Sequence, residues 1–159
     1  MSLAAIPGFG AQPPLTAAPL AALPGLQNAF AGTPNPGGIE AGALSPCPES
    51  PNCVVSQNAD SEHGIAPIPY QGSRAQARAT LQDVLSVVPR TKTVEQTDDY
   101  IYAESASRLL GFVDDLEFYL PADEPVIHMR SASRMGESDL GVNRRRLQQI
   151  RLALQDLGL

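Results

Sequence analysis

Gly111-Phe112-Val113-Asp114-Asp115-Leu116-Glu117-Phe118, followed by Arg130-Ser131-Ala132-Ser133-Arg134, decides how this chain is read. Both runs lie in the segment Gly111–Arg146, which closes on Ser138-Asp139-Leu140-Gly141-Val142-Asn143-Arg144-Arg145-Arg146. A strand that sets acids among Phe, Val and Leu has to pair or solvate them, because an unpaired buried charge costs several kcal/mol. The arginines downstream are the obvious partners. Strand alternation puts Asp114 on one face with Phe112, Leu116 and Phe118, and puts Asp115 and Glu117 on the other with Val113 and Tyr119. His128, Arg130 and Arg134 share a parity on the following strand, and Tyr100, Tyr102 and Glu104 share one two strands earlier. Cross-strand pairing is therefore expected to bring Glu104, Asp115 or Glu117 against Arg130, in a geometry that a bidentate guanidinium makes selective.

Working outward, Ser73 is an N-cap candidate, and Ala77, Leu81, Val84, Leu85 and Val88 form one apolar helical face that Pro89 ends. Strand-like runs follow at Thr91–Thr97, Tyr100–Ala106, Leu110–Leu120 and Pro125–Ser133, with Asp98-Asp99 turning between the first two. A last helix is predicted over Leu140–Leu157, capped by Ser138 or Asp139, with Leu147, Ile150, Leu154 and Leu157 as its buried stripe. The order α-β-β-β-β-α predicts an α+β domain: an antiparallel four-stranded sheet with two helices on one face.

Composition divides the chain. Residues 1–69 hold 12 of the 15 prolines and no Lys or Arg, and all 11 basic residues follow. Proline breaks helices and removes ladder donors, so this first part does not fold by itself. It is not polar either. We read residues 1–44 as an extended Pro/Gly/Ala-rich docking arm whose partner-binding anchors are Leu15, Leu20, Leu23, Leu26 and Phe30, and residues 45–159 as the domain. Burying a Leu or Phe yields about 1.5–3 kcal/mol, against about 1–2 kcal/mol of backbone entropy per ordered residue, so the arm needs hydrogen bonds or a partner to order.

A net charge of −6 argues against nucleic acid as a partner, and the absence of Trp argues against base stacking. No apolar run approaches the length of a membrane span. The start, Met1-Ser2-Leu3-Ala4-Ala5-Ile6, lacks the positive region of a secretory signal and the arginines of a transit peptide. Cys47 and Cys53 allow three readings: free or structural thiols, a disulfide across a short loop, or a metal pair completed by His63 with Asp60 or Glu62. No Cys-x-x-Cys and no Gly-x-Ser-x-Gly is present, and neither His63 nor His128 sits in a catalytic motif. The chain is read as a non-enzyme without a cofactor. The acids and arginines Glu104, Asp114, Asp115, Glu117, Arg130, Arg134, Asp139 and Arg144 are read as a structural polar network, with a carboxylate–arginine cleft for a small ligand or metal as the alternative. The loop before the last helix lacks the glycine spacing of a phosphate cradle, and Asp139 is read as its cap.

The segments Cys47-Pro48-Glu49-Ser50-Pro51-Asn52-Cys53-Val54, Phe112–Phe118, Arg130–Arg134 and Ser138–Arg146 together resemble the domain of unknown function 1499 family, over about residues 45–157. Three positions depart from that family's pattern: Val55-Ser56-Gln57, Ser105-Ala106 and Glu137. The resemblance implies no established activity. It implies occurrence in bacteria and in plastids of photosynthetic organisms. On that analogy the expected role is an accessory subunit docked peripherally, through its arm, on the protein subunits of a thylakoid complex of photosystem type in the chloroplast.

Overall fold

A computed structural model of the chain describes residues 30–108 and 110–159. It opens with a two-stranded ribbon, β1 (Ile39–Glu40) and β2 (Ala43–Leu44), turned through Ala41 and Gly42 at positive φ. Then come β3 (Cys53–Val55), β4 (Ile68–Pro69), helix α1 (Arg74–Val87), β5 (Thr91–Gln96), β6 (Tyr100–Ala106), β7 (Val113–Tyr119), β8 (Val126–Ser133) and helix α2 (Val142–Asp156).

Helix α1 starts as its sequence directs. The Ser73 hydroxyl accepts from Gln76 N–H, and the Gln76 side chain accepts from Ser73 N–H, a reciprocal capping box. The helix buries Ala77, Leu81, Val84 and Leu85 and stops before Pro89. Helix α2 begins two residues later than its periodicity predicts, because Leu140 and Gly141 both take left-handed conformations. Asp139 closes the turn by accepting from the N–H groups of Gly141 and Asn143.

Strands β5 to β8 form the antiparallel meander expected from alternation, but the sheet is larger than four strands. It has six: the order is β3-β8-β7-β6-β5, and β4 pairs with the other end of β8 on the same side as β3. The β1–β2 ribbon is a separate two-stranded sheet. The expected order therefore lacks four strands before α1, two in the ribbon and two in the larger sheet. Strands of two or three residues in a Pro-rich stretch show no alternation to read, and Pro69 is tolerated because β4 is an edge. The other edge, β5, is exposed and carries Lys92 and Glu95, which discourages pairing with another chain.

Both helices cover one face of the sheet. Their stripes, with Leu147, Ile150 and Leu154 from α2, meet Ile101, Ala103, Leu116, Phe118, Ile127 and Met129 in one apolar core. The opposite face is covered by residues 30–44, the stretch assigned to the end of the arm. Leu44 packs there with Val55, Tyr100 and Tyr102. The Phe30 ring lies 5.2 Å from that of Phe112. The arm's root is thus laid on its own domain, and the anchors Leu15, Leu20, Leu23 and Leu26 lie outside the described residues.

Candidate functional site: the acid–arginine face

Register decides which charges meet. Glu117 stands opposite Tyr102 on β6 and Arg130 on β8, and Asp115 stands opposite Glu104 and Ala132. Glu117 is fully buried, and its Oε2 lies 2.7 Å from Arg130 Nη1. Its Oε1 accepts from the Tyr100 hydroxyl at 2.8 Å. Asp115 Oδ1 accepts from Arg134 Nη2 and from the Tyr102 hydroxyl, each at 2.7 Å. Arg134 also reaches Glu104, so the expected Glu104 partner is Arg134 and not Arg130.

The arm completes this cluster. Gly38 N–H donates to Glu117 Oε1 at 2.6 Å, Gly37 N–H to Glu117 Oε2 at 3.2 Å, and Asn35 N–H to Asp115 Oδ2 at 3.1 Å. Glu104, Asp115 and Glu117 against Arg130 and Arg134 leave one carboxylate charge in excess (three minus two). Three backbone amide dipoles from the arm fall on that excess, where a third cation would otherwise be needed. Burial, then the Glu117 charge, pushes the Tyr100 hydroxyl well above its usual range. Burial and the Asp115 hydrogen bond do the same to Tyr102. Both phenols therefore stay protonated and act as donors. Burial alone would lower the Arg134 pKa, but the hydrogen bonds it donates to Asp115 and Glu104 outweigh it and raise it. Among the described residues, Arg130 Nε is the one buried side-chain donor without a partner.

Asp114 points to the helix side, as its parity predicts, and belongs to a second cluster. It accepts from the Ser133 hydroxyl at 2.6 Å and pairs with Arg146 at 2.7 Å. Asn143, also fully buried, donates to Asn52 O and Ser133 Oγ and accepts from the Ser131 hydroxyl. Arg144 stands apart from the acids and donates to Gly64 O and Glu62 O, both at 2.6 Å. The run Ser138–Arg146 is thus a docking element: the N-cap position of α2 falls to Gly141 and not to Ser138 or Asp139, Asp139 instead closes the turn before it, Asn143 and Arg146 fasten the helix to the sheet, and Arg144 ties down the loop after β3. Asn143 and Arg146 escaped the sequence reading, since a lone helical Asn or Arg carries no sign of burial.

Cys47 and Cys53 are joined in a disulfide, their Cα atoms 5.6 Å apart. That resolves the three readings and removes both sulfurs from a metal set. His63 donates instead to Asp60, and its other ring nitrogen faces Ser50 O. The hydrogen bond to Asp60 raises the His63 pKa against the opposing effect of burial, while backbone and side-chain bonds from His63 lower that of Asp60. Among the described residues no group of three or more His, Cys, Asp or Glu is placed to hold a metal.

Fold and site define an α+β domain whose polar sheet face grips the chain that leads into it. Over residues 43–154 the chain matches the family described as "Protein of unknown function (DUF1499)", and it belongs to that family. No curated protein matches it. Among the described residues no helix is long and apolar enough to cross a membrane.

Proposed function

We propose that this protein is a non-enzymatic accessory subunit, in which the domain serves as a foot for an amino-terminal docking arm. The observation that carries the reading is the grip of Asp115 and Glu117 on the backbone of Asn35, Gly37 and Gly38. Carboxylates that a catalyst or a ligand cleft would keep available are spent on arginines, tyrosines and arm amides. Backbone amides are recognised whatever their side chains, so the grip fixes where the arm leaves the domain and leaves its sequence free to suit a partner. On this reading Leu15, Leu20, Leu23 and Leu26, in residues 1–29, are the anchors that a partner takes, and they precede the gripped stretch in the chain. Within this proposal the partner is a set of protein subunits in a thylakoid complex of photosystem type, on which the domain sits peripherally. That choice draws on the family's occurrence in plastids.

The test compares the full chain with a chain starting at Phe30, each supplied to washed thylakoid membranes. The shortened chain is expected to keep its melting temperature within a few degrees and to lose at least tenfold in recovery with the complexes on a native gel. Equal recovery of the two chains rejects the proposal.

A further inference from the structure

A cleft of about 380 Å³ opens at the end of the sheet where the α1–β5 turn, the end of β6 and the first turns of α2 meet. Four of its lining residues are Arg90, Arg108, Arg145 and Arg146, and none is Asp or Glu. This is the reverse of the chain as a whole, which carries 17 acidic and 11 basic residues. We infer that this cleft is an anion site that takes a phosphate group.

Three observations converge on it. First, the arginines lack acidic partners. Only Arg146 has a carboxylate within salt-bridge reach, Asp114, so four guanidiniums less one carboxylate leave a local charge of +3. The undescribed residues contain no Asp or Glu that would supply more. Arg90 and Arg145 each commit one donor, to Ala106 O and Leu140 O, out of the five that a guanidinium holds. Second, the placement runs against intrinsic preference. Arg145 and Arg146 sit near the N-terminus of α2, where the helix dipole disfavours cations, and the carboxylate at that end, Asp139, is bonded to the Gly141 and Asn143 N–H groups and forms no ion pair with either arginine. Arg90 holds φ 57, a region that costs any residue with a Cβ. A bound anion offsets the first of these costs. Third, the groups converge from separate segments on a concave space instead of lining a flat strip, and the volume falls in the range that small-molecule ligands fill. Planar forks arranged around a hollow suit a tetrahedral oxyanion. The neighbouring Val88, Pro89 and Val142 leave room for a compact organic body beside it.

The phosphate can belong to a free ester or to a lipid headgroup, and the test separates the two. Pyrophosphate is titrated into the full chain by calorimetry at constant ionic strength, with Lys92→Ala as a charge-matched control on the exposed edge strand. Saturable binding is expected, weakened at least tenfold by Arg108→Ala and by Arg145→Ala and unchanged by Lys92→Ala. Both arginines are exposed, and a urea midpoint equal to that of the parent chain verifies folding. Arg145→Lys should recover part of the affinity. Absence of saturable binding, or equal affinity in all variants, overturns the site. Tighter binding of a hexaglutamate peptide than of pyrophosphate overturns it in favour of an acidic protein segment. Sedimentation with phosphatidylglycerol vesicles but not phosphatidylcholine vesicles, reversed by pyrophosphate, assigns the phosphate to a lipid. Pyrophosphate binding without sedimentation assigns it to a free ester.

Discussion

The two faces of the sheet are built on opposite principles. The face under α1 and α2 is closed by Leu, Ile, Val, Phe and Met packed against one another. The face under residues 30–44 holds Glu104, Asp115, Glu117, Arg130 and Arg134 beside Tyr100 and Tyr102, with Leu44 and Val55 filling between. Apolar contact is non-directional and rewards any close-fitting cover. A buried ion pair rewards only a cover that supplies donors at the right points, because whatever it leaves unpaired is costly. The helix face therefore supplies most of the stability, and the acid–arginine face supplies the choice of what lies on it.

Neighbours Phe118 and Glu117 on β7 point to opposite faces and make the sharpest trial of that contrast. Each change to Ala should destabilise by about 3–5 kcal/mol in urea unfolding, for a lost ring in one case and a stranded Arg130 in the other. The two losses differ in how they are repaired. Glu117→Leu combined with Arg130→Met should recover at least half of the stability and still release the arm, seen as fast amide exchange at Asn35, Gly37 and Gly38. Slow exchange there in the double variant would break the assignment of grip to the carboxylates.

A smaller effect concerns the disulfide, which lies on the arm side: Cys53 shares its parity with Val55, and Cys47 packs near Leu44. Replacing both cysteines by Ala should cost about 2 kcal/mol, since the closed loop is short. The loss should appear first as faster exchange around Leu44, with the helix core unaffected. Uniform loss across both faces would show that the faces are not separable units.

The smallest effect is the one that pH controls. His63 has its pKa raised by Asp60, so its pairing contributes fully below the usual imidazole value and is lost as pH rises through the raised one. Asp60 has its pKa lowered, so its share is present above the usual carboxylate value and is lost as pH falls through the lowered one. His63→Gln should therefore destabilise more at pH 5.5 than at pH 8.5. A difference that grows toward alkaline pH would contradict the pairing.

Much of this was legible in the chain. Ser73 and the spacing of Ala77, Leu81, Val84 and Leu85 announce α1, the 3.6-residue spacing of Leu147, Ile150 and Leu154 gives α2, and period-two alternation sorts Asp114 from Asp115 and Glu117 correctly. The family is carried by the same runs. Other features left no trace. Strands β3 and β4 are too short to show a period. Leu140 looks like the first helical residue and is instead a left-handed turn residue, because Asp139 and Gly141 close the loop around it. The arm's hold on the sheet depends on amides of Asn35, Gly37 and Gly38, which every residue but proline possesses, so no side chain advertises it. The basic cleft gathers Arg90, Arg108 and Arg145 from distant segments, none of them in a recognisable spacing.

By itself the sequence determined the two helices, the four long strands, the face each acid takes and the break in composition between leader and domain. These follow from local periodicity and from what proline and glycine permit. Only the tertiary structure decided that Arg134 serves both Asp115 and Glu104, that Arg130 serves Glu117, and that the chain's own backbone covers them. Strand register joins the ion pairs, and loop amides up to about eighty positions away in the chain close over them. Register is settled by the whole packed sheet and not by any one of its strands.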